Sequence, residues 1–177
     1  PNFYQASLAL GTAYMDLGQW DKAEAALKQA LQSKPNAANA LFALGELYAV
    51  QKKEQEAEKA LVEGLLAEPR SFQGHLSLAR LYWEKALKIK DDTQERPLLE
   101  KSYEEVKKSL ELNPNFAQAH IVKGNLLLRV RRAEDAQHEF EEYLRLDPKG
   151  RFAEQAKTTI EKVKKALEAE RANQKPK

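Results

Sequence analysis

The sequence predicts an all-α solenoid, four helix-turn-helix units stacked in a row and closed by one further helix. Three observations predict it. Pro1, Pro35 and Pro69 stand 34 residues apart, and Pro114 and Pro148 repeat that interval after one longer step of 45. A recurrence of this length marks stacked units, because each must bury its apolar face on a neighbour. The composition, 42% hydrophobic and 32% charged with 7 Gly and 7 Pro in 177 residues, supplies a core but little material for loops. Finally, small and large residues recur in register. Gly11, Gly45, Ala79 and Gly124 each precede by three places Tyr14, Tyr48, Tyr82 and Leu127, while Ala23, Ala57, Ser102 and Ala136 precede by four Leu27, Leu61, Val106 and Phe140. Helices approach closely only where small residues allow it, and larger neighbours fill the flanking grooves.

The units fall at residues 3–35, 37–69, 71–114 and 116–148 of a single domain spanning 1–170. Their helices are expected at 3–17 and 20–33, 37–50 and 54–67, 71–90 and 97–112, and 116–130 and 133–146. The prolines close the second helices, since a proline disfavours helical backbone in the residue before it. The third unit carries 11 extra residues between its helices. Helical character running through Tyr82, Trp83, Ala86, Leu87 and Ile89 predicts that its first helix protrudes, with Pro97 in the opening turn of the next. A last helix, 151–170, has the apolar stripe Phe152, Ala156, Ile160, Val163 and Leu167 against water-facing Lys157, Glu161, Lys164, Lys165 and Glu168, the two-faced pattern of a terminal cap. Tyr143 stands where the earlier units have Ala30, Gly64 and Ser109, so it is expected to push the cap away or find room over Ala153, with a wider joint than the others. Residues 171–177 read as a short basic tail.

These residues resemble the tetratricopeptide repeat family, whose pattern appears as Leu10, Gly11, Tyr14, Ala23, Leu27, Ala30 and Pro35, and again as Leu44, Gly45, Tyr48, Ala57, Leu61, Gly64 and Pro69. The resemblance covers about residues 3–148. It implies a right-handed superhelix with the first helices lining a concave side, and a protein-protein interaction scaffold that takes a peptide or helical segment of a partner. Pro1 sits where the last proline of a preceding unit would sit, so the sequence reads as a fragment of a longer repeat protein, with homo-association through the N-terminal face as a further expectation. A structural spacer or self-association arm of a longer array is the alternative.

The concave face is where binding is expected, at Leu8, Thr12 and Met15, then Asn39, Phe42 and Glu46, then Gln73, Leu76, Arg80 and Trp83, then Gln118, Ile121, Asn125 and Arg129. Family members that hold the C-terminal carboxylate of heat-shock chaperones use Lys and Asn, then Asn, then Lys and Arg. The matching places hold Leu8 and Thr12, Ala43, and Gln73 and Ser77; one unit along they hold Phe42 and Glu46, Ser77, and Gln118 and Val122. That clamp is absent in both registers.

Chemistry is harder to find. There is no cysteine, which removes thiol nucleophiles and Cys-based zinc sites. His75 and His120 occupy equivalent places without a third ligand at repeat spacing, so no metal and no cofactor is expected. No Ser-His-acid constellation, Gly-rich phosphate loop or HExxH spacing occurs, and the chain does not read as an enzyme. A net charge of +2 from 29 basic and 27 acidic residues disfavours nucleic acid and anionic membrane as partners, although Lys52-Lys53 and Arg131-Arg132 put basic pairs on one edge. No run reaches the roughly 18 to 20 apolar residues of a bilayer span, no signal pattern opens the chain, and its cellular location is not legible.

Overall fold

A computed structural model describes residues 2–173; Pro1 and residues 174–177, the end of the expected basic tail, lie outside the described residues. The described residues form nine helices and no strand. They are α1 (Asn2–Asp16), α2 (Trp20–Ser33), α3 (Ala38–Val50), α4 (Glu54–Ala67), α5 (Phe72–Ala86), α6 (Asp92–Leu112), α7 (Ala117–Arg129), α8 (Ala133–Leu146) and α9 (Ala153–Asn173). Helices α3, α5 and α7 each pack on the even helix of their own unit and on that of the unit before, while α1 packs on α2 and α9 on α8. The odd helices α1, α3, α5 and α7 also touch one another in sequence, so they form one face of the stack.

The small residues do what their register predicted. A Cβ at Gly45 would lie 2.6 Å from Leu61 Cγ, and one at Gly124 would lie 2.9 Å from the Phe140 ring. Such distances are impossible without displacement, so glycine sets the separation of the two helices in these units. Ser102 and Ser109 occupy the small sites of α6 and are wholly buried. Their hydroxyls donate to the carbonyls of Ala79 (2.7 Å) and Phe72 (2.8 Å), which meets the requirement that buried polar groups be paired.

Successive units are tied by a repeated polar contact. Tyr48 donates to Glu24 Oε1 (3.1 Å) and Tyr82 to Glu58 Oε1 (2.9 Å), both reaching from an odd helix to the second helix of the preceding unit. Lys53 and Lys85 approach the same two carboxylates at 3.4 and 2.7 Å. Burial pushes the Tyr82 phenol well above its ordinary range, and the Glu58 hydrogen bond adds to the shift.

The turn inside three of the units needs a left-handed residue. Gly18, Lys52 and Arg131 hold φ of 67°, 63° and 61°, and each begins a pair of bonds back into the helix, such as Lys52 N–H to Ala49 O (3.0 Å) and Lys53 N–H to Tyr48 O (2.9 Å). That is a helix ending which favours glycine. A side chain in this conformation costs on the order of 1 kcal/mol. Lys52→Gly and Arg131→Gly are therefore each expected to raise stability by roughly 0.5–1 kcal/mol. Chemical denaturation of the two variants checks this; a loss of stability in either would mean that the side chain holds the turn.

The third unit corrects the sequence reading. The first helix does not run to residue 90: α5 ends at Ala86 and has 15 residues against 13 in α3, whereas α6 has 21 against 14 in α4. Most of the insertion extends the second helix. Asp91 caps α6, accepting from Thr93 N–H (2.8 Å) and Gln94 N–H (3.3 Å), and Gln94 stands at the third helical position, as in a capping box. Pro97 lies inside α6, near its start. It removes a single bond, to the Thr93 carbonyl, on exposed backbone where water substitutes.

The cap forms as expected, and Tyr143 takes the second of its two expected places, over Ala153. The ring is 1% exposed and clusters with Ala153 and Ala156, small residues that make room for it. Its hydroxyl accepts from Phe152 N–H at 3.0 Å. Gly150 is needed here, because a Cβ would fall 2.5 Å from that hydroxyl.

Candidate partner-binding groove

The row of odd helices leaves a depression where their C-terminal halves meet. Met15 of α1, Glu46, Ala49 and Val50 of α3, Lys52 of the following turn, and Ser77, Arg80, Leu81 and Glu84 of α5 line a pocket of about 320 Å³, with Leu61 among its walls. Its position follows from the repeat: residues 46 and 80 are 34 apart, so they sit at the same height on adjacent helices. Ser77 donates to Glu46 at 2.6 Å, and Lys52 lies 4.0 Å from Glu84. Among the described residues no carboxylate pairs with Arg80, which is exposed. The pocket thus combines an aliphatic lining with one cation available for binding.

The expected groove residues do not share one environment. Met15, Glu46 and Arg80 come together in the pocket. Thr12, Asn39, Gln73 and Gln118 are exposed, Asn125 is half-buried, and Leu8 is half-buried against the cores of the first two units. Phe42, Leu76 and Ile121 are corrected: all three are buried side chains of the core clusters. They sit on the shoulder of the helix that meets the neighbouring unit, where the stack covers them. Trp83 is partly buried against the cluster of Leu76, Ala79 and Leu99. Arg129 is already engaged. Its guanidinium donates to both oxygens of buried Glu95, at 2.7 and 2.9 Å, and so anchors the extension of α6 to α7.

Sequence reasoning met Ser77 only as a clamp position that lacks a cation and Lys52 only as part of the basic edge, and counted neither among the expected groove residues. The usable signal was the 34-residue equivalence of Lys52 with Gly18, which shows that a basic side chain occupies a turn position suited to glycine.

The basic edge is largely neutralised. Lys53 pairs with Glu24, Lys85 with Glu58, Lys88 with Glu54 and Arg132 with Asp135. A smaller pocket of about 250 Å³ lies between α6 and the end of α7, lined by Leu99, Tyr103, Leu126 and Val130 with Arg96 and Arg132 at its rim.

The two equivalent histidines are structural. His75 Nδ1 meets Glu105 at 2.6 Å while its Nε2 meets the Pro69 carbonyl at 3.1 Å. His120 repeats the arrangement with Glu139 at 2.7 Å and Pro114 at 3.0 Å. Among the described residues no group of three or more His, Asp or Glu is placed to hold a metal ion. Nor is any described helix long and apolar enough to cross a membrane.

Comparison with known proteins agrees with this architecture. Residues 8–71 match the family model of the tetratricopeptide repeat. Among solved structures, a thermophilic tetratricopeptide repeat protein of Thermus thermophilus superposes with a TM-score of 0.79 at 20% identity, covering 93% of this chain and 82% of that one. PilF of Pseudomonas aeruginosa gives 0.79 at 20% identity over 97% of this chain and 70% of its own. The first such domain of Spaghetti (RPAP3), bound to the HSP90 peptide SRMEEVD, gives 0.63 at 22% identity over 74% and 95%. No curated protein sequence matches the chain.

Proposed function

From a chain built of tetratricopeptide repeats, a fold of protein-protein interaction scaffolds, we propose a module that captures a segment of a partner protein along its concave face. The observation that carries the reading is the pocket at Met15, Glu46 and Arg80, where aliphatic surface surrounds a guanidinium that no described carboxylate pairs. Apolar contact supplies affinity, and Arg80 orients the segment by a charge-assisted bond to a carboxylate or carbonyl oxygen. Thr12, Asn39 and Gln73 offer further polar contacts to the backbone of an extended segment. The chaperone-tail mode suggested by the Spaghetti complex fits poorly, because Leu8, Thr12, Ala43, Gln73 and Ser77 stand at the clamp places and none is cationic. Nothing in the geometry favours catalysis or a bound cofactor, and the spacer alternative has no observation of its own.

Peptides selected from a random display library on the folded chain test the proposal. Calorimetry with the tightest peptide is expected to show a loss of roughly 2 kcal/mol for Arg80→Ala or Met15→Ala, and little change for Lys59→Ala on the outer surface. Affinity that survives both groove changes and falls with Lys59→Ala would place binding elsewhere.

A further inference from the structure

The joints between the first and second units and between the second and third are closed by the same three groups. Tyr48 donates to Glu24 at 3.1 Å and Tyr82 to Glu58 at 2.9 Å, and Lys53 and Lys85 approach those carboxylates at 3.4 and 2.7 Å. Each joint thus holds a phenol, a carboxylate and a cation. At the joint between the third and fourth units the register puts Leu127 in the place of the tyrosine and Tyr103 in the place of the glutamate, while Arg132 keeps a cation at the place of Lys53. Leucine has nothing to donate and a phenol is not an anion, so these two residues do not make the tie. The pocket of about 250 Å³ between α6 and the end of α7 opens at this joint.

Its apolar lining includes Leu126 and Leu127, each 2% exposed, and exposed Val130, with Tyr103 half-buried beside them. The volume falls below the roughly 300–1,000 Å³ of a site for a drug-sized molecule, and suits one large apolar side chain. Charge is divided between the walls. Glu100, paired with Arg96 at 3.0 Å, and Glu104 line the α6 side, and Arg132 lines the side where α8 begins. Arg132 meets Asp135 at 2.6 Å, but the two side chains are 54% and 52% exposed, and a surface pair of that kind holds its members weakly. The Tyr103 phenol lies close enough to act on the same guanidinium. A carboxylate entering the pocket meets a cation and a phenol, the two donors that Lys53 and Tyr48 present to Glu24, and the acidic α6 wall turns it toward α8.

We propose that this pocket docks a segment of a partner protein, one large apolar side chain filling it and a neighbouring acidic residue bonding to Arg132 and the Tyr103 hydroxyl. The partner thereby supplies the carboxylate that α2 and α4 supply at the first two joints. The pocket shares no lining residue with the one at Met15, Glu46 and Arg80, so it is a second site, and failure of the concave-face reading would leave it unaffected.

The probes are two blocked dipeptides, acetyl-Phe-Glu-amide and acetyl-Phe-Gln-amide, titrated into the isotopically labelled chain and followed by nuclear magnetic resonance. The acid is expected to shift the methyl signals of Leu126, Leu127 and Val130 through its ring current, with a dissociation constant of about 1 mM. It is expected to bind roughly fivefold tighter than the amide, the share of one such bond. Arg132→Gln, at an exposed position, is expected to keep the fold and to bind both probes equally. The double variant Tyr103→Glu, Leu127→Tyr imports the pair of the second joint and is expected to melt no lower than the parent and to bind neither probe. Arg80→Ala is expected to bind both as the parent does. No methyl shift with either probe, equal affinity of the parent for acid and amide, or a preference for the acid that survives Arg132→Gln overturns the proposal. Undiminished binding by the folded double variant overturns it as well.

Discussion

Phe42→Ala is expected to cost about 3–5 kcal/mol, the range for deleting a buried aromatic ring. The ring is 8% exposed and fills a slot between two helices whose walls are glycines. A Cβ on Gly64 of α4 would stand 2.5 Å from Phe42 Cε1, and a Cβ on Gly74 of α5 would stand 2.5 Å from the same atom. The phenyl group of α3 thus occupies the space that two side chains of neighbouring units have vacated, and neither wall can refill it by rotating a rotamer. Gly64→Leu overpacks the same slot and is expected to cost on the order of 1–3 kcal/mol, offset in part by better helix propensity. Against a total stability of about 5–15 kcal/mol typical of a domain, the first loss removes a large share. The discriminating measurement is a double-mutant cycle in urea. Gly64→Ala combined with Phe42→Leu is expected to cost clearly less than the sum of the two single changes, because the smaller side chain vacates what the added methyl requires. Strict additivity, or a Lys59→Leu control on the outer face of α4 as damaging as Gly64→Leu, would remove this account of the joint between the second and third units.

That slot shows how far sequence reasoning reaches. The interval of 34 residues located the helices of the ordinary units to within a residue or two, because their ends are set by prolines and by turns that recur. It identified Gly64 as a packing site and placed Phe42 on an odd helix. It did not tell whether the ring faced the open groove or the next unit, since both lie on the same half of α3 and differ by less than one helical step. Leu76 and Ile121 were misplaced for the same reason. The insertion failed differently: the polar run 91–96 falls between the expected helices 71–90 and 97–112, whereas Asp91 and Gln94 form the opening of α6, and buried Glu95 is satisfied by Arg129 from the following unit. A contact between residues so distant in sequence leaves no local pattern. Nor could composition reveal which cations remain free, because the pairing of Lys53, Lys85 and Lys88 depends on carboxylates of a neighbouring helix.

The histidine bridges were legible in principle, through paired substitutions between units. Where the first two units have Ser7 with Ala26 and Leu41 with Ala60, the last two have His75 with Glu105 and His120 with Glu139. Both members change together, as expected of side chains in contact.

These bridges make stability depend on pH in a defined direction. Each imidazole has an acceptor at both nitrogens, a carboxylate and a carbonyl, so the doubly protonated ring satisfies every group. The Glu105 hydrogen bond raises the pKa of His75 above the ordinary 6.5, burial and nearby Lys108 opposing it. At His120 burial opposes the charge, but the bonds to Glu139 and Pro114 outweigh it, and Glu142 adds to the rise. On the other side, burial raises the Glu105 and Glu139 carboxyls, yet the histidines, with Lys108 and Lys123 respectively, bring both below the ordinary 4.5. A base whose pKa is raised on folding contributes stability that is complete below its unfolded value and lost as pH rises through the folded one. A carboxylate with a depressed value contributes above its unfolded value and loses that contribution as pH falls through the folded one. The two windows overlap between about 4.5 and 6.5, and there the bridges are expected to be most stabilising. Thermal melts should therefore show the chain losing stability as pH rises above about 6.5 and through the raised histidine values. The fourfold variant His75→Leu, Glu105→Ala, His120→Leu, Glu139→Ala, which imports the apolar pair of the second unit, should lose much less over the same span. Nuclear magnetic resonance titration gives the independent check: ring protons of His75 and His120 that titrate at or below about 6.5, with an unchanged melting profile in the fourfold variant, would mean that the imidazoles are held neutral and the bridges contribute nothing to the pH response.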